Sequence, residues 1–368
     1  MLLRDENLMS FLSPDEPDFF NEAQKWLGRS FENISAARKK ADDLTARFTQ
    51  LLEESRSVPE DTTLVVYGSL ARKELTSASD LDWSLVIDGP VDPTHLQVAI
   101  AIRRVVESLG LKAPGREAVF GNLSFSHDLV HRIGGQDDTN KNLTQRILIL
   151  LESRPIGDSQ AYERVVRAIL ERYCEEDSHL YSRHLDQFKV PRFLLNDVVR
   201  LWRTMAVDYA SKRRERNSEG WALRNAKLRM SRKLLFVSGL IMCFQCHLKA
   251  IRSNSKPAGE GFSVEPLIVF LTKCVERTPL DIICEVLLAQ SNQETASAIL
   301  SSYDAFMQIL ATPESRSALE RLPYDSAEDS PEFKPVRELG AKFQKGLESM
   351  FFDDNEAMAS LVRNYGVF

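Results

Sequence analysis

Two carboxylates separated by a single residue, Asp80 and Asp82, stand at the start of a predicted β-strand, Leu81–Ile87. Because side chains alternate along a strand, both carboxylates point to the same face. Two such charges repel each other unless a cation lies between them, and Mg²⁺ is bound by a few carboxylates together with phosphate oxygens. The pair therefore predicts a metal site, for Mg²⁺ or Mn²⁺, held by Asp80 and Asp82.

A glycine–serine turn precedes this pair in the chain. Gly68-Ser69 follows Leu64–Tyr67, a short β-branched run that predicts another strand, and a short helix is expected to begin at the turn. Glycine lets the backbone approach a ligand closely, and the first amides of a helix, together with a serine hydroxyl, can bind phosphate. The segment from Gly68 to Asp82 therefore predicts a site for a phosphate-bearing substrate and a metal ion.

The whole segment carries a family resemblance. Its pattern, Gly68-Ser69-x-x-Arg72-x-Glu74-x-x-x-x-Ser79-Asp80-x-Asp82, resembles the signature of the nucleotidyltransferase superfamily of DNA polymerase β type. The Arg and Glu of the spacer and the Ser before the first Asp are similar to those of the PII-protein uridylyltransferases and related bacterial proteins. Leu143–Asp158 is similar to the helix that follows the catalytic sheet in those enzymes. The resemblance covers about residues 60–175.

This resemblance implies an enzyme that moves a nucleoside monophosphate from a nucleoside triphosphate to a hydroxyl of a protein, an RNA or a small molecule. It implies a nucleotide-binding role for five residues of the signature: Gly68, Ser69, Arg72, Glu74 and Ser79. Arg72 would either reach a phosphate or brace the loop that carries Asp80. The base of the nucleotide is left open.

The superfamily usually adds a third carboxylate from a neighbouring strand, which activates the attacking hydroxyl. Alternation along a predicted strand, Asn122–Val130, makes Asp128 the candidate for a third catalytic residue beside Asp80 and Asp82. The fallback candidates are Glu152, Asp137 and Asp138. If none of them serves, the alternative function is a regulatory module that binds nucleotides with little turnover.

A second candidate region is the segment 191–233, which holds twelve basic and four acidic residues in a chain of net charge −6. Such a run is either a solvated face or a wall that faces phosphates. On a predicted helix, Arg192–Lys212, the nucleotide-binding candidates Arg200 and Arg203 share a polar stripe and could bind a triphosphate. Alternatively, Lys212–Arg216 and Arg224–Lys233 could follow an RNA backbone, as in a toxin- or defence-type transferase acting on tRNA.

The hydrophobic pattern places these residues in an α+β protein. A small mixed-sheet nucleotidyltransferase domain is expected at 59–140, after an N-terminal helical segment at 1–58 that forms one long helix or two joined near Arg29. Helical spacing then dominates, so we expect a large all-helical C-terminal region, divided into a helical domain at 141–320 and a helical tail at 321–368. The ligand is expected in the cleft between sheet and helices.

Composition and cysteine usage exclude other classes. The apolar content and the length permit a buried core, and the five irregularly spaced cysteines do not form a secreted disulfide framework. Cys243–His247 matches the haem-attachment pattern, but it lies in an apolar segment that indicates a buried helix. The chain shows neither a signal peptide nor an apolar stretch long enough to cross a bilayer, so we expect a cytoplasmic protein with no membrane partner.

Overall fold

The computed structural model of the protein describes residues 17–55, 59–111, 119–175, 181–182, 187–215, 219–249, 264–326 and 330–366. A small four-stranded sheet lies within a helix-rich chain, which confirms the predicted α+β class. The strands of this sheet are β1 (Thr62–Tyr67), β2 (Asp82–Ile87), β3 (Asn122–Phe125) and β4 (Ser153–Ile156). Two shorter strands, β5 (Tyr181–Ser182) and β6 (Gln187–Phe188), pair separately.

Helices occupy most of the remaining described residues. The first seven are α1 (Phe19–Leu27), α2 (Glu32–Ser55), α3 (Gly68–Ala71), α4 (Pro93–Ser108), α5 (Ser126–Val130), α6 (Asn140–Leu151) and α7 (Gln160–Glu175). The next nine are α8 (Arg192–Glu215), α9 (Trp221–Arg229), α10 (Ser231–Leu248), α11 (Glu265–Val275), α12 (Pro279–Gln290), α13 (Gln293–Ala311), α14 (Pro313–Arg321), α15 (Lys334–Glu348) and α16 (Glu356–Leu361).

The sheet has the order β3-β2-β1-β4, with β1 antiparallel to both of its neighbours and β3 parallel to β2. Tyr67 at the end of β1 pairs with Asp82 on one side and with Ser153 on the other. One edge of the sheet therefore collects the end of β1 and the starts of β2 and β4. Strand β4 also lies beyond position 140, where we expected the α/β domain to end.

Strand β1 is buried along its whole length, as expected for an apolar, β-branched run in the middle of a sheet. One face of the sheet packs against α2 and α4 in a cluster that includes Phe48, Trp83 and Ile102. The other face, with Val65 and Val86, belongs to the larger helical core, in which α7 covers β1. The helical region is therefore continuous with the sheet through a shared core.

Two predicted helices are divided in the structure. Helix α1 ends at Gly28 in the left-handed conformation, with φ of +60°, so the N-terminal segment consists of two helices joined near Arg29. The helical pattern over 222–250 also predicts one helix, which is wrong. Met230, fully buried, has φ −114° and ψ −88°, and this non-helical residue separates α9 from α10.

The predicted strand Asn122–Val130 is too long. Strand β3 ends at Phe125, and the next five residues form the short helix α5. The acidic Asp128 lies in the first turn of α5, where a negative charge stabilises the amide end of a helix, and it pairs with Arg132 one turn later. None of the helices in the described ranges is long and apolar enough to cross a membrane.

Candidate active site

The glycine–serine turn lies beside the second aspartate of the signature. Gly68 follows β1 with φ of +67°, a left-handed conformation that glycine adopts without strain. A Cβ atom at this position would lie 3.5 Å from Oδ2 of Asp82. Ser69 comes next, partly exposed in the first turn of α3. The fold thus joins two parts of the signature that are distant in sequence.

Asp80 and Asp82 flank Leu81, which is buried in the core on the far side of the sheet. The two carboxylates therefore share the opposite face, with Asp80 exposed and Asp82 half-buried. Within the described part of the chain, neither carboxylate makes a hydrogen bond or an ion pair. This arrangement leaves two like charges side by side without an internal partner.

The electrostatics of Asp82 reflect this crowding. Burial, followed by the negative charges of Asp80 and Glu152, raises the pKa of Asp82 to about 7. The positive charges of Lys227 and Arg72 act in the opposite direction. A dication between the two aspartates would relieve the repulsion and favour the ionised form of Asp82.

The described residues contain no group of three or more His, Cys, Asp or Glu side chains arranged to hold a metal ion. A pair of carboxylates is nevertheless a donor set that fits Mg²⁺ or Mn²⁺, because such ions retain water and bind the oxygens of substrate phosphates. The residues that would hold the cation are Asp80 and Asp82, as the sequence predicts.

Arg72 and Glu74 form a buried network behind the aspartates. The Nε of Arg72 donates to Glu74 at 2.8 Å, and its Nη1 donates to Glu152, the residue that follows α6. The Tyr303 hydroxyl, on α13, donates to the other oxygen of Glu74 at 2.6 Å. Of the two roles considered for Arg72, bracing is the one that its contacts support. Through this network, the spacer of the signature is fastened to two helices.

Ser79 and its neighbours hold the loop that leads to Asp80. The Ser79 hydroxyl is buried and accepts the backbone N–H of Thr76 at 3.0 Å. From α14, the Nη2 of Arg316 donates to the carbonyl of Ala78 at 3.0 Å. The loop is therefore fixed by its own turn and by the helical region, and the Ser79 side chain contacts Thr76.

The structure does not bring Asp128 to the aspartate pair. Phe125, the last residue of β3, is level with Ile87, the last residue of β2. Since the two strands run parallel and away from Asp82, Asp128 lies beyond the opposite edge of the sheet. It forms a surface ion pair there with Arg132 at 2.9 Å. A catalytic role for Asp128 stays a prediction without a structural contact to support it.

The fallback carboxylates are distributed unevenly. Asp137 is exposed in the loop before α6, and Asp138 is buried against Arg146 of that helix. Glu152, at the other end of α6, precedes β4 at the edge where Tyr67 pairs with Ser153, and its charge acts on Asp82. Glu152 is therefore the fallback residue that the fold brings to the site.

The predicted phosphate-binding arginines of α8 lie elsewhere. Arg200 donates to the backbone carbonyl of Asp138 at 3.2 Å and lies 3.5 Å from its carboxylate. Arg203 is exposed on the same helix. The side chains of Lys212–Arg216, part of the alternative RNA surface, lie outside the described residues. Neither Arg200 nor Arg203 is positioned by a described contact at the aspartate pair.

Lys227, on α9, is a basic residue of the segment 191–233 whose charge acts on the aspartates, and sequence reasoning gave it no individual role. Its charge acts on both Asp80 and Asp82. Leu223, four residues earlier, and Met230, three residues later, are both buried. A lysine at these intervals lies on the buried face of an amphipathic helix. That spacing is the signal in the basic segment that could have singled out Lys227.

Comparison with known families agrees with the geometry. Residues 28–119, about a quarter of the chain, match the model of the family described as "putative nucleotidyltransferase DUF294". The matched region contains the glycine–serine turn, the spacer and both aspartates. No curated protein matches the chain. The family match supports a domain of nucleotidyltransferase type in this part of the protein.

Proposed function

We propose that this protein is a nucleotidyltransferase that moves a nucleoside monophosphate from a nucleoside triphosphate to a hydroxyl of a protein, an RNA or a small molecule. The observation that carries the proposal is the edge of the sheet, where Gly68 lies against Asp82 and two carboxylates that have no partner among the described residues share one face. The family match to residues 28–119 supports the same class of reaction.

In this proposal, Asp80 and Asp82 hold a divalent cation, Mg²⁺ or Mn²⁺. When bound, such a cation neutralises phosphate charge and stabilises the attacking and leaving oxygens of an in-line displacement. Gly68 keeps the space beside Asp82 free, since any side chain there would point at the carboxylate. Ser69 would offer its hydroxyl and backbone amide to the triphosphate. The braced loop fixes the aspartates before substrate arrives.

For the third carboxylate we favour Glu152 over Asp128, because the charge of Glu152 reaches Asp82 while Asp128 lies at the opposite edge of the sheet. Glu152→Gln should lower turnover by about a hundredfold, whereas Asp128→Asn should leave it unchanged. Each variant removes one charge at constant shape, so the pair forms a matched comparison. Equal turnover in both variants would remove Glu152 from the role.

The proposal is tested by incubating the full chain with each labelled nucleoside triphosphate and Mg²⁺, with protein, tRNA and small-molecule hydroxyl acceptors. The wild type is compared with the Asp80→Ala/Asp82→Ala double variant. We expect label transfer and pyrophosphate release in the wild type and neither in the variant. Equal signals in the two proteins would overturn the proposal.

A binding module with little turnover is the second candidate, and one observation favours it. Glu152 accepts a hydrogen bond from Arg72, so the carboxylate nearest to the aspartate pair is already engaged by a cation. Calorimetry that shows nucleotide binding without turnover on any acceptor would support this candidate. A stable, Mg²⁺-dependent product would exclude it.

A further inference from the structure

Two buried hydroxyl groups lie beside Asp82 on one face of the sheet. Tyr67 on β1 is the cross-strand partner of Asp82, and Ser84 is the second residue after Asp82 on β2. Because cross-strand partners and alternate residues of a strand point to one face, both hydroxyls share the face of the carboxylate. Tyr67 is 1% exposed and Ser84 is fully buried. The fold therefore places two polar groups in the interior, next to a proposed cation ligand.

Neither hydroxyl oxygen has a hydrogen-bond partner among the described residues. Burial and the nearby Tyr162 raise the pKa of Tyr67, while the Ser84 hydroxyl acts in the opposite direction, as expected for two oxygens that lie near each other. They form no direct hydrogen bond all the same. Burial of a hydroxyl without a hydrogen bond is costly, so two such groups side by side indicate a common third partner.

Aromatic packing fixes the position of the Tyr67 side chain. Its ring lies against the ring of Phe120, with 4.7 Å between the two centroids. Tyr67 belongs to the strand on one side of β2, and Phe120 precedes β3, the strand on the other side. The two rings therefore meet across β2 and hold the Tyr67 side chain over the strand that carries Asp82 and Ser84.

We propose that Tyr67 and Ser84 are positioning residues for Asp82, acting through one water molecule bound between their hydroxyl groups and the inner oxygen of the carboxylate. The water accepts from both hydroxyls and donates to Asp82, which gives it three hydrogen bonds, the usual number for a buried water. Alternate residues of a strand are about 6.6 Å apart, a distance that one water spans and a direct hydrogen bond does not. The benefit to a cation ligand rests on the proposed function, whereas the water site itself does not.

A purely structural pair of hydroxyls on the same sheet looks different. The Tyr162 and Ser153 hydroxyls bond directly at 2.9 Å, and Ser153 also donates to the carbonyl of Ile149 at 2.6 Å. Tyr67 and Ser84 lack such contacts and lie beside a carboxylate that makes no hydrogen bond in the described part of the chain. Carboxylates that bind metal ions are themselves held by hydrogen bonds, and the proposed water supplies one from inside the protein.

The first test is a crystal structure of the full chain in EDTA, so that the result does not depend on a cation. We expect a water within about 3.2 Å of the Tyr67, Ser84 and Asp82 side-chain oxygens in the wild type, and its loss in Tyr67→Phe. A direct bond between the two hydroxyls, with no water beside them, would overturn the proposal.

The second test measures binding of Mn²⁺ alone to the full chain by electron paramagnetic resonance. Tyr67→Phe and Ser84→Ala should each weaken binding about tenfold, because Asp82 loses its support. Since both residues act through one water, the double variant should also be about tenfold weaker and not a hundredfold.

Tyr162→Phe is the matched control. It removes a buried phenol hydroxyl whose partner is Ser153, so the affinity for Mn²⁺ should be unchanged. Thermal unfolding of each variant separates weaker binding from loss of folding. Equal weakening in Tyr67→Phe and Tyr162→Phe, fully additive effects in the double variant, or no binding of Mn²⁺ to the wild type would each contradict the positioning role.

The same measurements distinguish this proposal from the proposed function. Binding of Mn²⁺ that depends on Tyr67, without nucleotidyl transfer to any acceptor, would retain the positioning role and reject the transferase. Nucleotidyl transfer with unchanged Mn²⁺ affinity in Tyr67→Phe would do the reverse.

Discussion

Helix α6 connects two clusters of charged residues that differ in whether their charges are paired. In the middle of this helix, the guanidinium of Arg146 is fully buried and donates to Asp138 at 2.9 and 3.0 Å, to Asp197 at 2.9 Å and to Tyr173 at 2.7 Å. The Tyr173 hydroxyl in turn donates to Asp197 at 2.6 Å. Past its end, Glu152 lies near an aspartate pair that makes no described hydrogen bond or ion pair.

The difference separates charge that stabilises the fold from charge kept available for a ligand. In the Arg146 cluster every charged group has a partner of opposite sign, and burial strengthens those contacts. At the aspartate pair, like charges are crowded together, and the pKa of Asp82 rises for that reason and because of burial. Unmatched charge of this kind is typical of binding sites, while the matched cluster is typical of a structural core.

The largest effect is expected for a substitution in the aspartate pair. Asp82→Asn should lower nucleotidyl transfer by several thousandfold, about 5 kcal/mol, because a cation ligand is lost. It should also raise the midpoint of thermal unfolding by a few degrees, since a repelling charge is removed. Activity assays and calorimetry check the two parts. Lower stability together with intact activity would show that Asp82 belongs to the structural class.

Arg146→Met tests the structural role of the paired cluster. It should lower the free energy of unfolding by about 3–5 kcal/mol, because Asp138 and Asp197 would stay buried without their counter-charge. Turnover of the protein that remains folded at low temperature should not change. Arg132→Met is the control, because its ion pair with Asp128 is partly exposed to solvent and the loss should stay under about 1 kcal/mol. Urea unfolding measures both variants.

Some features of the fold and of the candidate site have local signals in the sequence, and others do not. Strands β1 and β2 and the turn at Gly68 could be predicted because alternation, glycine and the spacing of Asp80 and Asp82 are local signals. Glu152 was one of several fallbacks, since local patterns do not show that β4 pairs with β1 and places Ser153, the residue after Glu152, level with Tyr67 and Asp82. The position of a distant strand in a sheet depends on tertiary packing.

The helical side of the site was harder to predict. The segment 191–233 has a visible excess of positive charge, but charge alone does not show which member faces the sheet. Arg200 shares a polar stripe with Arg203, yet its partner is Asp138, in the structural cluster. The break at Met230, which sets the direction of α9 and hence of Lys227, has no glycine or proline to signal it.

Two tyrosine substitutions, one near each cluster, compare the two clusters through a smaller effect. Tyr303→Phe removes the hydroxyl that donates to Glu74, and Tyr173→Phe removes the hydroxyl that donates to Asp197. Each should lower the free energy of unfolding by about 2 kcal/mol. Only Tyr303→Phe should also lower turnover, by about tenfold, because Glu74 positions Arg72. Equal turnover in the two variants would contradict the role of Arg72 as a brace.

The smallest effect is the dependence of the structural cluster on acid. Burial alone would raise the pKa of Asp138, but the hydrogen bonds and the charge of Arg146 hold it below its ordinary value of 3.8. A carboxylate with a lowered pKa in the folded state adds stability above its unfolded pKa, and this is lost as the pH falls through the folded pKa. The stability difference between wild type and Asp138→Asn should therefore be constant near neutral pH and shrink below about pH 4. Urea unfolding across that range measures it, and a difference that shrinks on the alkaline side instead would show that the ion pair with Arg146 does not control Asp138.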